Sequence, residues 1–184
     1  MTKSETYPDT TASREPRPFL YLEPAAPSSP GRGPDARGVA ELQRAFEPRL
    51  PHVVRSVVDR TIARHNEKAL RPQPIQLSVL NRRRRAARSW LLTICEGRAD
   101  ASTCHQAATQ WLPLLCGTGP DRLGMEAPAR ALVEYVRGAI TACIFDEASE
   151  SLLPQARALH ALESTLAAHL AAVLAVSPGP VQTV

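Results

Sequence analysis

The densest run of chemically capable side chains is Arg82-Arg83-Arg84-Arg85, with Arg88 and Arg98 close behind. Clustered guanidinium groups neutralise phosphate, and each phosphate neutralised steepens the salt dependence of nucleic-acid binding by about 0.9 in log–log slope. Successive residues on a helix point about 100° apart, however. Arg82 and Arg85 are expected to face away from the apolar stripe of their helix, while Arg83 and Arg84 flank it. Four arginines in a row therefore do not make one phosphate-binding face. Arg83 and Arg84 are expected to lay their stems along the core edge and pair with acids such as Asp146, Glu147 or Glu150.

The helix carrying this run is followed, after Glu96-Gly97-Arg98-Ala99-Asp100, by a second helical stretch, which is the spacing of a helix-turn-helix. Ser102, Thr103, His105, Gln106 and Gln110 would then meet base edges. That second stretch holds neither Arg nor Lys, the side chains of the commonest specific base contacts. A DNA-binding regulator using the helix pair 79–112 is thus the alternative reading, with nucleic acid as its partner.

Other chemistries find little support in spacing. No Cys pair has zinc-finger spacing and no His-Glu-x-x-His is present, so no metal site and no cofactor are expected. His169 borders an apolar helix face and could ligate a haem, as in globin-like bundles. A haem- or small-ligand-binding sensor is the second alternative, against a histidine that merely finishes the core edge. No Gly-x-Ser-x-Gly elbow occurs. Gly117-Thr118-Gly119-Pro120 lacks the Lys-Ser/Thr of a phosphate loop, and Pro120 removes a backbone donor, so it reads as a turn. No catalytic residue is expected, and the chain reads as a non-enzyme.

The elements that would hold these residues follow from periodicity. Leu42 and Phe46 mark a helix over 39–47, and Val53, Val54, Val57, Val58 and Ile62 one over 50–65, with Pro51 in its first turn. Arg71-Pro72-Gln73-Pro74 is a linker. Ser78 is placed as the cap of a helix over 79–96, in which Leu80, Ala87, Leu91 and Ile94 share a face and Gly97 provides the left-handed stop. Asp100 or Ser102 caps the next, through Trp111 and Leu112, where Pro113 should kink or end it. A long helix runs from Pro128 through Ile144. Ser151 and Pro154 open the last, over 152–176, whose Leu159, Leu162, Leu166, Leu170 and Val173 form a continuous stripe.

Composition agrees with helices. Aromatic residues are 4% of 184, too few for most strand-rich cores. Seven prolines in the first 34 residues predict a disordered leader over 1–38, broken by the apolar island Phe19-Leu20-Tyr21-Leu22. The helical domain is expected over 39–176, with a frayed tail over 177–184. The net charge of +4 is unevenly spread: residues 41–120 are rich in arginine, whereas acids outnumber bases beyond 120. The four cysteines lie in or beside apolar stretches, and the polar start is not a secretory leader, so a reduced, cytoplasmic protein is expected. No unbroken apolar run reaches the ~20 residues of a bilayer crossing, and no membrane partner is expected.

The stretch Asp121-Arg122-Leu123-Gly124-Met125-Glu126, leading into Leu132-Val133-Glu134-Tyr135-Val136-Arg137, resembles part of the haem-free, globin-like helical sensor domains of stressosome proteins. The resemblance covers about 80–175 and implies globin-like packing and a regulatory role; it carries over no functional residue. The combined expectation is an all-α bundle of five or six helices that binds a protein partner or a second copy of itself. The stripe Leu159, Leu162, Leu166, Leu170 and Val173 offers more apolar surface than two paired helices need, and it is the expected interaction surface.

Overall fold

Each helix begins or ends where backbone chemistry requires it. The computed structural model describes residues 34–68, 74–117, 124–146 and 152–176. Helix α1 spans Ala36–Phe46 and passes through a 3-10 turn, Glu47–Arg49, into α2, Leu50–Lys68. Pro48 sits in the first turn of the 3-10 segment and Pro51 in the first turn of α2, where a missing N–H leaves no bond unmade. Helix α3 is Leu77–Cys95, and Gly97 follows it at φ +65°, a left-handed stop that a side chain would strain. Helix α6 is Glu126–Asp146, with Pro128 in its first turn, and α7 is Leu152–Val176.

The segment between α3 and α6 departs most from a simple helix. Helix α4, Ala101–Gln106, is capped by Asp100, whose Oδ1 accepts the Thr103 N–H at 2.9 Å while Oδ2 accepts the Thr103 hydroxyl at 2.7 Å. The chain then widens into a π-helical turn, Ala107–Trp111, before resuming as α5, Leu112–Cys116. Pro113 explains the widening. Its ring crowds the carbonyl four residues earlier and it has no N–H to donate, so a regular turn cannot continue through it. The kink or end expected from sequence at Pro113 does not occur: the helix absorbs the proline and stops at Gly117, φ +66°.

Among the described residues there is no strand, and the fold is an all-α bundle. The described helices belong to one compact unit within Gly31–Val184. Helix α7 is the axis, packed by α1, α6, α4 and the π-helical turn, while α2 lies against α3 and α6. The core runs through all layers: Leu42 and Phe46, Val53 and Val57, Trp90, Leu91 and Ile94, Leu112 and Leu115, Val136 and Ile140, and Leu162 and Leu166 are all buried.

Several sequence expectations change. Helix α1 starts at Ala36, so the folded region begins three residues before the expected 39. Gly38 is the reason that start matters. A methyl group added there would lie 2.7 Å from the Arg157 carbonyl oxygen, so this glycine sets how closely α1 approaches α7. Ser78 lies inside α3, whose N-cap is Gln76, without a side-chain bond. Helix α7 is, by length and composition alone, apolar enough to cross a bilayer, although it holds no unbroken apolar run of that length; core helices share that property. The expected leader through residue 33, including Phe19–Leu22, and the expected tail 177–184 lie outside the described residues.

Candidate functional site

The stripe on α7 is spent inside the chain. Leu162, Leu166 and Val173 are fully buried against the other helices, and Leu159 and Leu170 are half-buried at the rim of the same core. Leu162, Leu166 and Val173 therefore present no surface to a partner. The sequence shows that the stripe must be covered, but not by which helix, and α1 and α6 supply the cover. Apolar surface remains elsewhere: Phe145, Leu152 and Leu153 are 54%, 77% and 57% exposed, on either side of the α6–α7 connection.

His169 is committed on both ring nitrogens. The indole N–H of Trp90 donates to Nδ1 at 3.0 Å, and indole can only donate, so Nδ1 carries the lone pair. Nε2 therefore bears the hydrogen and donates to the Arg98 carbonyl at 2.8 Å. Burial pushes the His169 pKa below its ordinary value; the Arg98 carbonyl and the charge of Asp100 act more weakly in the opposite direction. In this arrangement no lone pair is free for an iron. His169 is a strut joining α3, the turn after it and α7, and the haem route through it loses its ligand.

The arginine run is split by the helix. Arg82, Arg84, Arg85 and Arg88 are exposed, as is Arg98, while Arg83 turns inward and is 7% exposed. The anticipated pairing with Asp146 does not occur, because Asp146 binds Arg49 at 2.8 Å; Glu147 and Glu150 lie outside the described residues. On the α4 side, Ser102, His105, Gln106 and Gln110 are exposed, but Thr103 is buried and bonded to Asp100. The second helix of the expected helix-turn-helix is a six-residue α4 that gives way to the π-helical turn.

A cleft of about 90 Å³ that sequence reasoning did not foresee opens beside Gly117, behind which Arg83 lies. Arg60, Arg64 and His65 of α2 line one side, and Leu115, Pro128 and Leu132 of α5 and α6 line another. The Arg60 guanidinium stands 5.1 Å over the Tyr135 ring, whose hydroxyl shares a hydrogen bond with Ser56. Gly117 forms part of the wall: a methyl group there would lie 3.5 Å from Arg83 Nη2 and 3.9 Å from His65 Nδ1. No spacing rule could find this cleft, because its residues come from α2, α5 and α6 together with Gly117.

Among the described residues no group of three or more His, Cys, Asp or Glu side chains could hold a metal ion. Three thiols are biased toward the protonated form. Burial, with help from Glu47 and Glu96, pushes Cys95 up to about 11, and burial also raises Cys104 and Cys143. Compared with known protein families, curated proteins and solved structures, the chain has no match.

Proposed function

We propose that this chain is a non-enzymatic helical regulatory domain that acts by binding another protein, in the simplest case a second copy of itself. The observation that carries the reading is the uncovered apolar surface at Phe145, Leu152 and Leu153, gathered in sequence around one connection, while Leu162, Leu166 and Val173 of α7 are taken up by the core. The likeness to stressosome sensor domains supports a regulatory role. The raised pKa of the Cys95, Cys104 and Cys143 thiols and the doubly bonded His169 favour binding over chemistry. Buried thiols at Cys95, Cys104 and Cys143 suit a reduced, cytoplasmic setting.

Sedimentation velocity over a wide concentration range tests the reading. The wild-type chain is expected to self-associate. The triple variant Phe145→Ser, Leu152→Ser, Leu153→Ser should lose that association with its helicity and melting temperature unchanged, since the three side chains are exposed. A wild-type chain that stays monomeric throughout overturns the self-associating form.

Exposed Arg82, Arg84, Arg85 and Arg88 favour nucleic-acid binding as a second reading, because none has an ion pair among the described residues. It requires a steep salt dependence of duplex DNA binding. That dependence should flatten when Arg82, Arg85 and Arg88 become Gln, by about 0.9 in slope for each phosphate left without its guanidinium.

A further inference from the structure

We propose that the cleft between α2, α5 and α6 is a binding site for a small organic phosphate, with the buried Arg83 guanidinium and the Arg60, Arg64 and His65 side chains receiving the phosphoryl group. The argument begins with Arg83. A guanidinium stays charged at any physiological pH, so burying one without a counter-charge is costly. Arg83 is 7% exposed, its Nη1 is buried with no hydrogen-bond partner, and no carboxylate pairs with it among the described residues. Burial holds its pKa below the ordinary value, the signature of a charge that lacks compensation. A buried structural cation would be expected to have an acid beside it. A cation kept for a ligand would not.

The surroundings say which ligand. Arg83 Nη2 and His65 Nδ1 lie 3.5 and 3.9 Å from the point a Gly117 methyl group would occupy, so Arg83, which does not itself line the cleft, reaches it past Gly117. Arg60 and Arg64 line the same cleft, neither held by a carboxylate among the described residues. Three guanidinium groups and an imidazole suit a dianion with several acceptor oxygens, and guanidinium matches phosphate in a two-pronged geometry. The α5 C-terminus presents carbonyls rather than N–H groups, so the anion must be held by side chains and not by a backbone cradle. Leu115, Pro128 and Leu132 supply an apolar wall that inorganic phosphate would not use. A water needs about 10–15 Å³ on this scale, so 90 Å³ admits a phosphoryl group and a few carbons, not a nucleotide. Arg82, Arg85 and Arg88 point to solvent and play no part.

Calorimetric titration of the full chain with phenyl phosphate and, separately, with inorganic phosphate tests the proposal. Phenyl phosphate should bind more tightly than inorganic phosphate. Arg83→Met, which keeps the stem and removes the charge, should weaken it by about tenfold or more, the usual worth of a charge-assisted bond. Without ligand, Arg83→Met should melt at a higher temperature than the wild type, because an uncompensated buried charge is gone. Arg64→Gln, at a less buried position, should weaken binding with little change in melting. Failure of either phosphate to bind overturns the proposal, as does equal affinity of the wild type and Arg83→Met. Equal affinity for the two phosphates overturns the organic ligand. A lower melting temperature for Arg83→Met, with Arg64→Gln binding as the wild type does, assigns Arg83 to fold maintenance and also overturns it. Tighter binding of a single-stranded oligonucleotide, abolished on changing Arg82, Arg85 and Arg88, would move the phosphate chemistry to the outer face of α3 and sink the cleft.

Discussion

Protonating His169 would place a hydrogen on Nδ1, facing the indole N–H of Trp90, so that two donors would meet where one bond now exists. Burial already disfavours the charged ring. A histidine whose folded pKa lies below its unfolded value binds more protons when unfolded, so its contribution to stability is complete above the unfolded value and is lost as pH falls below it. Urea unfolding should therefore show a stability flat from pH 8 to about 7 and declining as the pH drops through 6.5, the ordinary histidine value. His169→Phe should be less stable at pH 8 and should remove most of that decline; an unchanged slope would assign the acid sensitivity to another group. Trp90→Phe, which leaves Nδ1 buried without its donor, should cost about 1–3 kcal/mol. From sequence, His169 is legible as a residue on the border of an apolar face. Its partner is 79 residues away, and helical spacing carries no information about that distance.

At the scale of elements, periodicity places the helical stretches with boundaries off by only a few residues, because apolar side chains recurring every three or four positions have one way to meet a core. The departures have local causes. Spacing predicts a kink or an end at Pro113, yet the π-helical turn Ala107–Trp111 accommodates it, and α7 packs against that same turn. Gly38 falls in the expected leader because no apolar rhythm marks it, although α1 meets the backbone of α7 through its bare Cα. Gly38→Ala must push the Arg157 carbonyl aside, and backbone gives way less readily than a side-chain tip. The substitution should cost about 1–3 kcal/mol, the range for overpacking a close contact, despite alanine's better helix propensity. Chemical denaturation would show it as a lower midpoint with unchanged slope; a stabilised Gly38→Ala would mean that the two helices separate freely.

At the scale of the whole molecule, the question is which apolar residues hold the chain together and which remain for a partner. The stripe Leu159, Leu162, Leu166, Leu170 and Val173 conflates the two in the sequence, since periodicity identifies a face without saying whether the same chain or another covers it. The cleft near Arg83 is hidden for the same reason: its residues come from three helices, and Arg83 in the sequence is one of four consecutive arginines, of which the structure turns only this one inward. Burial separates the roles into opposite outcomes for one kind of substitution. Leu166 is fully buried at the centre of the bundle, so Leu166→Asp forces a carboxylate into hydrocarbon with no partner, a penalty comparable with the whole stability of a domain. That variant should lose cooperative unfolding and its helical circular dichroism at any protein concentration. Leu153 is 57% exposed, and Leu153→Asp should retain helicity and melting temperature while lowering self-association in sedimentation. If Leu166→Asp instead stayed folded and merely dissociated an oligomer, α7 would be an intermolecular seam, and the packing of α1 and α6 against it would have to be looser than the buried Leu162, Leu166 and Val173 imply.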